Sequence, residues 1–127
     1  MLIGLETKTM MKVLTMNDIL KTEYSNAFDE KRKHLIEQSY YKYGPARRNF
    51  ATGNVDSVGC IEKCLEKFKE TGNTEYLCDV ANYAMFRFMF PQRGEYFRYT
   101  DSGESAGIVG MSVNEMEEFK NASDFTR

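Results

Sequence analysis

Residues 74–91, TEYLCDVANYAMFRFMFP, limit what this chain can fold into more than any other stretch. The run has a helical pattern, is apolar on nearly every side, and stops at Pro91, which cannot continue a helix. Such a helix has to be covered by neighbouring elements on several faces. It nonetheless carries Asp79, Asn82 and Arg87. At about 100° per residue, Glu75, Asp79 and Asn82 fall on one line along the helix, while Leu77, Val80, Ala81, Ala84, Met85, Phe88 and Met89 occupy the other faces. Burying an ionised carboxylate without a partner is costly, so Asp79 calls for a metal ion, an arginine or a set of backbone amides to compensate it. Either the stripe faces water, or Arg47 or Arg48 pairs with Asp79 and pins the preceding loop, or the acid belongs to a site.

The rest of the chain supplies the cover. From Asn17 to Tyr43 one long helix is expected, since Leu20, Tyr24, Ala27, Phe28, Leu35, Ser39 and Tyr43 recur at three- and four-residue steps. Gly44 and Pro45 end it, and the irregular loop PARRNFATGN follows. A second helix runs from about Asp56 to Lys69, with Val58, Ile61, Leu65 and Phe68 on one stripe, and Gly72 closes it. Asn73 or Thr74 caps the next helix, and so short a connection forces an antiparallel hairpin. Residues 92–110 show no helical period and read as an ordered loop wrapping the bundle, with YFRYT and GIVG as candidate short strands. Ser112 and Glu115 form a capping-box pattern before a final short helix. The fold class expected is all-α, a small antiparallel bundle of three to four helices with a long ordered loop before the last one.

At 127 residues and 14.7 kDa the chain is large enough for one core and too small for two. We expect a flexible arm over residues 1–15, a single helical domain over 16–120 and a frayed tail over 121–127. Met10, Met11 and Met16 leave room for a start later than Met1. An apolar content of 42% suits a packed globule, and the net charge of −2 argues against a non-specific nucleic-acid coat. Cys60, Cys64 and Cys78 are odd in number and have no zinc-ligand spacing around the single His34, so they read as reduced thiols of a cytoplasmic protein. The longest apolar run is interrupted by charges and is not a membrane span.

Two sets of residues could carry chemistry. Tyr40, Tyr41, Lys42, Tyr43, Arg47, Arg48 and Phe50 combine rings that could stack a base with cations that could hold phosphates, and Asn82 could add a base contact. Tyrosines so placed also serve as half-buried core edges with wet hydroxyls. Glu62 and Glu66 are spaced by four on the second helix, as Glu75 and Asp79 are on the third. In an antiparallel hairpin these four carboxylates come level, which would make an all-oxygen Mg²⁺ site. The helical wheel turns Glu62 and Glu66 away from the apolar stripe centred between Ile61 and Leu65.

The pattern EYLCDVANYAMF resembles the second metal-binding helix of the MazG-like all-α nucleotide pyrophosphohydrolases. YYKYGPARRNFATGN followed by two helices is similar to a stretch of phage-encoded dATP/dGTP diphosphohydrolase-like proteins. More broadly, SYYKYGP, NF and TGNTEYL with DVANYAMF resemble short proteins of bacteriophages and prophages, over roughly residues 35–110. For this chain the enzyme resemblance implies Mg²⁺ ligands at Glu62, Glu66, Glu75 and Asp79, with Arg47, Arg48 and Asn82 touching phosphate or base. The acidic pairs here are spaced by four where those enzymes use three, and the two pairs lie closer together than theirs.

The function expected is therefore that of a phage or mobile-element accessory protein without catalysis or cofactor. It would bind a host protein or a nucleotide-type ligand inside the bacterial host cell, blunting a defence system, and would form homo-oligomers. The alternative is a Mg²⁺-dependent (d)NTP pyrophosphohydrolase, and a nucleic-acid partner is the less favoured third reading.

Overall fold

A computed structural model describes residues 13–122 of the chain. The expectations for residues 1–12 and 123–127 lie outside the described residues. The protein is all-helical, as the periodicities require. Among the described residues YFRYT and GIVG form no strand, and only an isolated antiparallel bridge joins Ile108 to Met111. None of the described helices is long and apolar enough to cross a membrane.

The chain divides into two compact units, one ending at Gly94 and the other beginning at Glu95. The boundary follows Pro91 and falls at Gly94, whose φ of 86° suits a residue without a Cβ. The glycine-rich segment beyond it has no helical period with which to extend the bundle.

In the first unit, α1 spans Met16–Glu23, α2 Asn26–Tyr43, α3 Ser57–Thr71 and α4 Glu75–Met89. One wide helical turn, Arg47–Ala51, sits between α2 and α3. The continuous helix expected over 17–43 is thus two helices. Ser25 causes the break: in an extended conformation its hydroxyl accepts the Phe28 N–H at 3.0 Å, capping a new helix instead of continuing the old one. Asp29 then joins the two pieces, accepting from the Tyr24 hydroxyl and from Arg32 Nε.

The α3–α4 hairpin forms the tightest packing, and α2 lies against α4. Asp56 caps α3 by accepting the Gly59 N–H at 3.1 Å. Gly72 ends it with φ 72° and ψ 9°, a left-handed turn that a side chain would strain. Of the two cap candidates for α4, Thr74 holds the cap position without a side-chain bond, and Asn73 just before it supplies one, its side-chain oxygen accepting the Glu75 N–H at 3.0 Å. At the centre of this packing Cys78 is 4% exposed, Ser57 2% and Asn82 6%.

In the second unit a single turn at Ser102–Glu104 and the helix α5, Val113–Ala122, are the regular elements. Arg98 grips Glu104 with two parallel hydrogen bonds of 3.0 and 2.9 Å. The Ser112–Glu115 capping box forms as its sequence pattern requires, with bonds of 2.8 and 3.0 Å.

Candidate ligand-binding site

A cavity of about 290 Å³ opens between α2, the loop that follows it and α4. Tyr40 and Tyr43 come from the last turns of α2, Phe50 from the wide turn, and Asp79 and Asn82 from α4. These five of the residues singled out above are brought together. Ile36, Ser39, Asn49, Val55, Tyr83 and Phe86 complete most of the wall.

Loop geometry places Phe50. The Asn49 side chain donates through Nδ2 to the Tyr43 carbonyl at 3.0 Å, and the Val55 N–H bonds the Asn49 carbonyl at 3.0 Å, so the loop is closed at both ends. Phe50 then stacks on Phe86, with centroids 4.7 Å apart, and meets Tyr83 at 6.0 Å. A ledge of three aromatic rings results.

The polar face of the cavity belongs to α4. Asn82 is buried, and its Nδ2 donates to the Arg32 carbonyl of α2 at 2.9 Å. Its Oδ1 is the buried side-chain oxygen that accepts no hydrogen bond from the described protein. One helical turn away, Asp79 is half-buried and forms no ion pair among the described residues. Burial raises its pKa above the usual carboxylate range, and the negative Glu75 one turn back raises it further. Among the described residues no cation lowers it.

Behind Asp79, α3 contributes thiols. Burial raises the pKa of Cys64, with Asp79 and Cys60 adding to the effect. The Tyr83 hydroxyl is pushed up to about 12, mainly by burial and then by the neighbouring Cys60, Cys64 and Asp79. Among the residues that line the cavity, Asp79 is the carboxylate.

Arg47 and Arg48 do not line the cavity. Arg47 lies over the Phe90 ring, 5.1 Å from its centroid. The Arg48 guanidinium lies against Gly44, in the space that a side chain at 44 would fill, and Gly44 itself lines the cavity. Neither arginine pairs with Asp79, so the pinning role considered for them is not taken.

The four-carboxylate site is not assembled. Among the described residues no group of three or more His, Cys, Asp or Glu side chains comes together in a way that could hold a metal ion. Glu62, Glu66 and Glu75 are exposed, whereas Asp79 is turned inward. The reason is rotational: α3 packs on α4, its partly covered positions include Cys60, Ile61, Cys64 and Phe68, and Glu62 and Glu66 fall on its wet side.

Sequence reasoning passed over Asn49, Tyr83 and Phe86. Tyr83 and Phe86 lie one and four positions beyond Asn82, so an extension of the polar stripe's neighbourhood would have found them. Asn49 carries no comparable signal, because its role depends on how the loop closes.

No protein-family model, curated protein or solved structure matches the chain.

Proposed function

We propose that this protein is a non-enzymatic accessory protein of the phage or mobile-element kind that works by binding a nucleotide-type ligand in the cavity between α2 and α4. One observation carries the reading: a buried amide oxygen and a half-buried carboxylate, with neither a donor for the one nor a cation for the other among the described residues, sit one helical turn apart on the wall of an aromatic-lined cavity. Unmet buried acceptors are expensive, and a ligand bearing N–H groups relieves both at once. The three-ring ledge offers a flat heterocycle a stacking surface, and about 290 Å³ suits a base with part of its sugar.

The phage setting rests on the resemblance of residues 35–110 to phage and prophage proteins, and removing a nucleotide signal is one way to blunt a defence system. Val58, Leu65 and Met89, exposed apolar residues of α3 and α4, support homo-oligomerisation as a further part of this reading.

Thermal-shift and calorimetric titration with mono-, di- and triphosphates, with and without Mg²⁺, tests the proposal. Saturable binding without turnover and independent of Mg²⁺ is expected. Release of monophosphate and pyrophosphate, abolished by Asp79→Asn, would replace it with the pyrophosphohydrolase reading.

A further inference from the structure

We infer that the cavity selects a guanine-type base, one that presents two adjacent N–H donors, over adenine, cytosine and uracil. The inference rests on the nucleotide reading above and specifies the base within it.

The acceptors of the cavity wall that lack a donor among the described residues lie on α4. Both asparagines on its wall donate one amide hydrogen to a backbone carbonyl, Asn82 to Arg32 at 2.9 Å and Asn49 to Tyr43 at 3.0 Å. Neither amide can be reversed, since its oxygen would then face a carbonyl oxygen. Asn82 Oδ1 and the two Asp79 oxygens remain for a ligand, and none of them has a donor among the described residues.

The four bases differ in what they offer such a surface. The pairing edge of guanine carries N1–H and the 2-amino group side by side, which a carboxylate can accept as a pair. Adenine and cytosine present one amine beside a ring nitrogen that accepts. Uracil presents a single N–H between two carbonyls. Each of those three sets an acceptor against a carboxylate oxygen, which is repulsive. With guanine, N1–H and one 2-amino hydrogen meet Asp79. The second 2-amino hydrogen is left for Asn82, three residues further along α4 and therefore on the same face. Stacking on Phe50 and Phe86 is common to all bases, so discrimination comes from the acceptors.

The test is calorimetric titration of the full chain with GMP, IMP, AMP, CMP and UMP at pH 7.5 without Mg²⁺. GMP should bind about tenfold to a hundredfold more tightly than AMP, CMP or UMP. IMP, which keeps N1–H and lacks the 2-amino group, should fall between. Asp79→Asn, with its helicity checked by circular dichroism, should bring GMP to the level of the others. Equal binding of all bases, a preference for adenine, or discrimination that survives Asp79→Asn would overturn the base assignment and leave the nucleotide reading standing. Absence of binding by every nucleotide, or binding of an aliphatic amine such as spermidine in their place, would overturn both.

Discussion

Asp79 sits where its charge is a liability to the folded chain. Its pKa is raised above 3.8 by burial and by Glu75, and no cation offsets either cause among the described residues. The folded state therefore holds the proton more tightly than the unfolded state does. The charge destabilises the fold at pH values above the raised pKa, and the cost fades as pH falls and is gone below about 3.8. Asp79→Asn is expected to raise the melting temperature by a few degrees at pH 7, with the gain disappearing at pH 3.5, as measured by circular dichroism. A structural ion pair would give the opposite sign. The helix-cap carboxylates Asp18 and Glu115 have lowered pKa values from their hydrogen bonds to Thr15 and Ser112, so their contribution is lost as pH falls. Gly44 makes a second residue-scale test. With φ 88° and ψ −173° it occupies backbone space that essentially only glycine uses, and Arg48 fills the room a Cβ would need. Gly44→Ala should cost about 1–3 kcal/mol in urea unfolding and displace the Arg48 guanidinium from its place beside residue 44.

At the level of elements, the ends were readable because caps are local. Asp56, Gly72, Asn73 and the Ser112–Glu115 pair each act within three residues of the helix end they define. Asp56→Ala should lower stability by about 1 kcal/mol, seen as a lower urea midpoint at unchanged slope. The break at Ser25 was missed for a physical reason. Leu20, Tyr24 and Phe28 keep a helical period across it, and period alone does not report that a serine hydroxyl competes for the backbone. The wide turn at Arg47–Ala51 likewise has no periodic signature, although it decides where Phe50 points.

For the whole molecule, all the residues of the cavity wall fall between positions 36 and 86, inside the first unit. A chain ending at Gly94 should keep its helical circular-dichroism signature and bind the same ligand with affinity within about threefold of the full chain, since no wall residue is lost. The second unit, held by the Arg98–Glu104 fork and the α5 capping box, has few buried groups and should exchange its amides faster than α3 and α4 in hydrogen-exchange measurements.

The order of apolar and polar residues by itself determined that helices form, where most of them start and stop, and that α3 and α4 make a hairpin, because these follow from backbone bonding and contacts within a few residues. Only the tertiary structure decided how each helix is rotated about its axis. That rotation turns Glu62 and Glu66 to solvent and Asp79 and Asn82 inward, and it brings Tyr40, Tyr43 and Phe50, some thirty to forty residues earlier in the chain, opposite them. The choice is made by side-chain packing between distant segments, which no local pattern encodes.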